Sequence, residues 1–489
     1  MMKKLLEQNI YALVSPVTVL ISGVIISLLF TRLLDRTDFG VFSTIVAFTL
    51  LFSGISDLGI AVTLIKIAGQ SFHSRDGHAG FYVHYLLEWK LAALVIVSLL
   101  IIIFPAQLSM FFFHDERYTY VMQTLSALTI LYSISTFINY LFNAIGRFEY
   151  SSLINIAFNG SKVLLPLILV LFFGPSLATI TVGLLLAFIL TALASLMLFF
   201  SKFKENLAYK PTKSSEINSF FFFSTVLGFA SMLSSNIDSI MLNYFRGPSD
   251  LALFTVSSSV VFLFVSLLPL SSTFLLSTLV QMEARKETEL QKRIFDRSIK
   301  YGLLAAIPLS FMVYLTANRI ILFLWPLNYL PAAQSLRLLS PIIPLMFLSG
   351  ICGNIFMSKG KMKEFSTIMF ITYVFTWLSG LYLISQYGLD GTAITFVLWQ
   401  IFQLALLIKP SLKMLKMSFN PMHILKPALA SIIVAAVIIL LNPLVGNTAA
   451  LFLIAGAIFC IVYFPLLDAD DKRLANALLS YIKLGPLFV

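Results

Sequence analysis

Apolar residues run along this chain in long blocks, and polar positions gather in short stretches between them. Alternation with period two would mark strands, and alternating blocks of about ten residues would mark a membrane β-barrel. Unalternating apolar blocks of eighteen or more residues instead match helices that cross a hydrocarbon core of about 30 Å. In lipid every backbone amide needs an internal partner, which a helix supplies. The blocks predict an all-α polytopic membrane protein of about fourteen spans. The first seven are Tyr11–Leu33, Phe39–Leu64, Tyr82–Phe104, Tyr120–Phe142, Ser151–Phe173, Leu177–Phe200 and Phe220–Phe245. The rest are Leu251–Leu279, Tyr301–Leu324, Leu338–Met357, Phe365–Ser385, Thr392–Ile408, Leu425–Leu441 and Ala449–Leu467. The run from Tyr11 lacks a small-residue cleavage site and reads as a first span, not a signal peptide.

Composition agrees with the blocks. Of 489 residues 59% are hydrophobic and 11% charged, with mean hydropathy +0.94. Soluble domains carry roughly 25% charged residues, so almost nothing here folds outside the bilayer. A net charge of +11 would suggest nucleic acid in a soluble protein, but the positive charge lies between spans and excludes that partner. With the N-terminus placed in the cytoplasm, 25 of the 33 lysines and arginines fall in inner segments. Positive-inside sorting predicts that bias, and it sets both termini in the cytoplasm. The outer loops are short, the longest running from Pro105, and the inner loops carry basic stretches at Lys202–Lys213 and Arg285–Lys300.

Self-similarity then divides the spans. Asp38-Phe-Gly-Val-Phe-Ser43 is echoed by Asp250-Leu-Ala-Leu-Phe-Thr255, and Gly146-Arg147 by Gly360-Lys361. Gly174 before Ala178-Thr-Ile-Thr181 is echoed by Gly388 before Thr392-Ala-Ile-Thr395, and Tyr118 and Gln123 by Tyr329 and Gln334. The offsets stay between 211 and 214. The expected architecture is two parallel six-helix lobes, 1–213 and 214–426, with an additional helix pair and cytoplasmic tail over 427–489. Lobes related about the membrane normal suit alternating access around a central path.

Ionisable side chains at membrane depth are costly, which makes them candidate sites. Asn155, Asn159 and Lys162 follow i, i+4, i+7 spacing, so one helix face carries all three toward a wet cavity or a neighbouring helix. Ser231, Ser235 and Asp238 make a similar stripe in span seven, and Asp57 lies in span two. Glu88 and Lys90 are expected to reach the headgroups. Arg32 and Arg246 occupy equivalent outer ends of spans one and seven, where an anionic substrate or the interface could hold them. His73, His78 and His84 suit no common metal motif, and Cys352 and Cys460 read as buried apolar side chains. No metal site, cofactor motif, Walker-type loop or enzyme constellation is visible.

Arg32-Leu-Leu, Asp38-Phe-Gly-Val-Phe-Ser43, Ser56-Asp-Leu-Gly59 with Leu64-Ile-Lys66, and Gly146-Arg147-Phe148 together resemble the polysaccharide flippase pattern. That family is a branch of the multidrug/oligosaccharidyl-lipid/polysaccharide (MOP) exporter superfamily. The resemblance implies a flippase in a bacterial inner membrane. Its cargo would be an undecaprenyl-diphosphate-linked O-antigen or capsule repeat unit, moved from the cytoplasmic to the periplasmic leaflet. A polysaccharide polymerase and a chain-length regulator would be pathway partners. By position, Lys162 is the first choice to meet the diphosphate, with Asn155, Asn159, Arg32 and Arg246 as further substrate candidates. Asp57 and Asp238 are candidates to couple proton or sodium movement. A drug or metabolite exporter of the same superfamily and a non-transporting scaffold are the alternatives.

Overall fold

Every apolar block whose residues are described folds as helix in the computed structural model, and no strand occurs among the described residues. The structure describes residues 18–203, 221–441, 454, 457–459, 462 and 463, apart from 20, 58, 75, 76, 223, 227, 230, 231, 233–235 and 269–272. The start of the first span, Ser231, Ser235, Cys460, most of the last span and the boundary at 213 and 214 lie outside them. The first half comprises α1 (Ile21–Leu33), α2 (Arg36–Asp57), α3 (Ile60–Phe72), α4 (Ala79–Ile103), α5 (Pro105–Phe113), α6 (Thr119–Ala144), α7 (Phe148–Phe173) and α8 (Leu177–Lys202). The second comprises α9 (Asn243–Arg246), α10 (Pro248–Leu267), α11 (Thr273–Ala284), α12 (Thr288–Leu324), α13 (Ala332–Leu339), α14 (Ile342–Ser358), α15 (Met362–Leu415) and α16 (Met422–Leu441). Among the described residues nine helices are long and apolar enough to cross a membrane, or ten if the bent pair α13–α14 is one span.

Several boundaries differ from the sequence pattern, each for a local reason. The second span breaks after Asp57, because Gly59 takes a left-handed conformation (φ +70°) before the chain resumes in α3. A π-helical turn follows at Leu64–Ala68, and another at Asp238–Leu242 precedes α9. Such turns disturb the regular ladder of a helix and recur at functional sites. The expected loop from Pro105 is a nine-residue helix, with proline at the first turn where its missing N–H costs nothing. The basic stretch from Arg285 is largely helical, because α12 begins at Thr288 and carries its charges on the first turns. α10 ends at Leu267, inside the expected eighth span, where Leu268 takes an extended backbone (φ −74°, ψ 109°).

α15 is a hairpin. Gly388 (φ +53°, ψ −120°) reverses the chain, and a Cβ on Gly391 would lie 1.9 Å from the Leu383 carbonyl oxygen. Phe375 and Phe402 stack across the hairpin with centroids 4.4 Å apart, and Gln403 Nε2 lies 3.2 Å from Met369 Sδ. Spans eleven and twelve are therefore antiparallel neighbours, as the apolar blocks predict.

One apolar cluster runs through both halves, from Phe30 and Phe48 through Ile237 and Phe254 to Phe347 and Leu407. The halves meet along α2 and α10. At their Arg32 end Arg36 Nε donates to Ser249 Oγ at 2.6 Å, and Phe39 packs edge-on against the fully buried Tyr329. Trp325 Nε1 reaches across to Ser27 Oγ at 3.0 Å. At the opposite end of α2 the backbone of Ser224 and Thr225 rests on Gly59, where a Cβ would lie 2.4 Å from the Ser224 carbonyl carbon. Both ends of α2 thus touch the second half.

Candidate functional site: a polar interior in the first half

The stripe on α7 is built from residues one helical turn apart, and the structure brings it against α1 and α6. Asn155 Oδ1 accepts from Asn139 Nδ2 at 3.1 Å. Asn139 Oδ1 accepts in turn from Ser151 Oγ at 2.5 Å and Asn143 Nδ2 at 3.2 Å. Asn159 Nδ2 donates to the Asn155 carbonyl at 2.8 Å, and its Oδ1 accepts from Ser22 Oγ at 3.0 Å. The result is a ladder of amides inside the first half, so Asn155 and Asn159 make interhelical contacts there. Buried amides need such partners, because each one left unmade costs about 1–3 kcal/mol. Asn143, the last rung, lines a cavity of about 830 Å³ with Lys66, Gln70 and Ser74.

Lys162 lies one turn beyond Asn159. Its ammonium sits 5.1 Å from the centroid of the Phe158 ring, which packs against Tyr132 and Phe188. Among the described residues no carboxylate lies within ion-pairing distance of it, so an aromatic face supplies its stabilisation. A half-buried cation without a carboxylate partner among the described residues can accept an anion.

Asp57 is differently placed. Lys90 Nζ donates to its Oδ1 at 2.7 Å, and the Ala61 N–H donates to its Oδ2 at 3.3 Å across the Gly59 break. Lys90 is 2% exposed, so the expectation that it reaches the headgroups is wrong. Lys90 lies eleven residues into α4, about 16 Å along the axis, where the carboxylate is a nearer partner than water. Glu88 does stay at the surface, paired with His84 at 3.0 Å. Next to Asp57, Ser133 of α6 bonds Ser53 and Ser56 at 2.9 and 3.2 Å.

The other candidates lie apart from this interior. Arg32 Nη2 donates to the Leu324 carbonyl at 3.2 Å, and Arg246 Nη2 to the Ser385 and Gln386 carbonyls at 3.3 and 3.0 Å. Both guanidinium groups complete helix C-termini, where the macrodipole favours cations. Asp238, half-buried, opens the second π-helical turn. Among the described residues no group of three or more His, Cys, Asp or Glu could hold a metal ion.

Sequence reading missed Asn139, Asn143 and the Lys90 pairing, all of which need knowledge of which helices are neighbours. It also missed a set of buried polar atoms without partners in the second half: Trp377 Nε1, Trp399 Nε1, Gln400 Oε1 and Gln403 Oε1.

Comparison with known proteins places this arrangement. The profile described as polysaccharide biosynthesis protein matches residues 5–282, more than half of the chain. The chain belongs to the polysaccharide biosynthesis protein family. A second profile, MatE, matches residues 224–382. No curated protein matches the chain by sequence. Among solved structures, one described as the lipid II flippase MurJ in an inward closed conformation is similar, with a TM-score of 0.71 at 16% identity. That match covers 94% of this chain and 97% of MurJ. An inward-facing multidrug resistance MATE transporter of the MOP superfamily gives 0.65 at 17% identity, covering 84% of this chain and 95% of that one. A MOP superfamily transporter from Pyrococcus furiosus gives 0.61 at 15% identity, covering 84% and 96%. This family member therefore carries the fold of these solved MOP-superfamily flippase and transporter structures.

Proposed function

We propose that this protein is a flippase for a lipid-linked oligosaccharide. It would move an undecaprenyl-diphosphate-linked O-antigen or capsular repeat unit from the cytoplasmic to the periplasmic leaflet of a bacterial inner membrane. The observation that carries this reading is the reach of the fold likeness. MurJ, described as a lipid II flippase, covers 94% of the chain, whereas the drug-exporter neighbours cover 84%. The family profile adds polysaccharide biosynthesis as the setting.

The physical task is to shelter sugars and a diphosphate from hydrocarbon, where unpaired polar groups and charges are expensive. In this reading the two repeats, 1–213 and 214–426, rock around a polar path and the polyprenyl tail stays in lipid. The Lys66–Gln70–Asn143 cavity is the cytoplasmic mouth, which agrees with the excess of lysine and arginine on that side. Lys162 neutralises the diphosphate. The Asp57–Lys90 pair and Asp238 are the groups through which a proton or sodium ion could be coupled. A polymerase and a chain-length regulator would consume the product.

Deletion of the gene followed by lipid extraction tests the cargo. Complete repeat units accumulating on the carrier, with surface glycan lost, are expected; normal surface glycan refutes the reading. Lys162→Ala at normal protein level is expected to reduce glycan export about tenfold or more, equivalent to at least 1.4 kcal/mol. Export at the native rate in that variant removes Lys162 from the path. The MatE match over 224–382 favours a second reading, a drug or metabolite exporter. Altered drug resistance with normal glycan on deletion would support that one.

A further inference from the structure

α4 and α8 stand on either side of α6 and both pack on it. Between them runs a cleft of about 540 Å³. Its floor is the α6 face carrying Ser133, Phe137 and Leu141, all buried, and its rims include Leu91 and Phe200, both exposed. Leu186, Leu190, Leu193, Met197 and Phe200 of α8 are exposed at helical spacing, so this side of the molecule meets hydrocarbon and the cleft opens into it. Along α4 the lining runs from Gly80 to Leu94, about 21 Å by helical rise and most of a core of about 30 Å. Three polar side chains line the cleft, and each is engaged. Lys90 donates to Asp57, Ser133 bonds Ser53 and Ser56, and His84 pairs with Glu88. The remaining lining is apolar, so hydrocarbon is what fits.

We infer that this cleft holds the polyprenyl chain of the lipid-linked substrate, which is then taken up along the first half; the inference rests on the flippase reading above. The volume suits one long chain and not the pair that a glycerophospholipid carries. The end of α6 adds the polar counterpart. Leu141 lines the cleft, and Asn143, two residues on, lines the polar cavity of about 830 Å³. A single-chain lipid with a large polar headgroup thus finds surfaces of matching character at one helix end.

The test uses the full-length protein in vesicles of phosphatidylglycerol and phosphatidylcholine. One photoactivatable probe is undecaprenyl phosphate with a diazirine on its chain; the other is phosphatidylglycerol with a diazirine on an acyl chain. Mass spectrometry locates the adducts. At equal mole fraction the polyprenyl probe is expected to label residues 133–141 and 196–200 about fivefold more than the acyl probe does. Excess unlabelled undecaprenyl phosphate should remove that labelling, and excess phosphatidylglycerol should not. The Leu91→Trp, Leu196→Trp double variant narrows the cleft and should lose the selectivity. Leu186→Trp, Leu190→Trp, on the open face of α8, should keep it. If the narrowed variant does not fold, the competition in the wild type decides. Equal labelling by the two probes, labelling that undecaprenyl phosphate does not compete, or full selectivity in the narrowed variant overturns the inference. Loss of surface glycan on gene deletion would then leave the flippase reading standing without it. Selective, competed labelling with normal glycan on deletion instead removes the cargo and keeps the chain site.

Discussion

The two halves of the chain share turns but not interiors. After α6, Gly146 N–H bonds the Asn143 carbonyl at 3.1 Å and Arg147 N–H the Phe142 carbonyl at 2.9 Å. After α14, Gly360 and Lys361 make the same two bonds to Met357 and Phe356, at 3.1 and 2.8 Å. Both glycines are left-handed, at φ +73° and +69°, which is why glycine stands at this helix exit twice. The 3₁₀ turns Glu116–Tyr118 and Leu327–Tyr329 correspond as well. Yet the positions 214 residues after Asn155, Asn159 and Lys162 are Met369, Tyr373 and Thr376. The amide ladder, Lys162 and the Asp57–Lys90 pair are confined to the first half. Turn geometry constrains the backbone and so recurs, whereas a buried charge is costly and is kept only where one half uses it.

The strongest way to break this contrast is to unpair the charges. Lys90→Met leaves the Asp57 carboxylate without its ammonium in a buried setting, which costs about 3–5 kcal/mol. A large drop in unfolding midpoint or in membrane yield is expected, with partial recovery in the exchanged pair Asp57→Lys, Lys90→Asp. An unchanged midpoint in Lys90→Met would mean that the pair contributes nothing to the first half. The corresponding glycines give a smaller effect. Gly174 and Gly388 both hold positive φ, so alanine at either costs about 1–3 kcal/mol. Gly388→Ala should stand at the upper end, because its Cβ would lie 2.8 Å from Arg246 Nε while that of Gly174 meets nothing within 4 Å. Paired thermal melts of the two variants read the difference, and a larger loss at Gly174 contradicts it.

Much of the frame was legible in the amino-acid pattern, because bilayer thickness forces long apolar blocks and helix exits force glycines. The helix α7 and its i, i+4, i+7 stripe follow from spacing alone. Its partners do not, since Asn139 and Ser22 lie on helices whose adjacency is a tertiary fact. Lys90 shows the limit plainly. A lysine eleven residues into an apolar helix reads as snorkelling until the carboxylate on a neighbouring helix is known. The break at Gly59 was equally hidden, because apolar residues flank it on both sides and hydropathy does not register a change of φ. The helix α16 could be read from its apolar block, but a pocket between Lys300 and Lys426 joins segments more than a hundred residues apart.

The smallest expected effect concerns the paired 3₁₀ turns. In the second half Tyr329 is fully buried against Phe39, so that turn is held by packing between halves. In the first half the turn is capped by Asp115, which accepts from the Arg117 backbone N–H at 2.9 Å and from its guanidinium at 2.8 Å. These bonds hold the Asp115 carboxyl below its ordinary value, the side-chain bond most. A carboxyl depressed on folding contributes stability above its unfolded value of about 3.9 and loses it as pH falls through the folded value. Asp115→Asn keeps the backbone cap and removes the charge, so it isolates that contribution. A slight lowering of the unfolding midpoint at neutral pH is expected, closing as the pH drops below about 4. Exposure of the Arg117 partner and salt screening keep the effect small, and 1 M salt should erase it. A difference that widens toward acid pH would have the wrong sign for a depressed carboxyl, and would assign the turn's stability to packing in both halves.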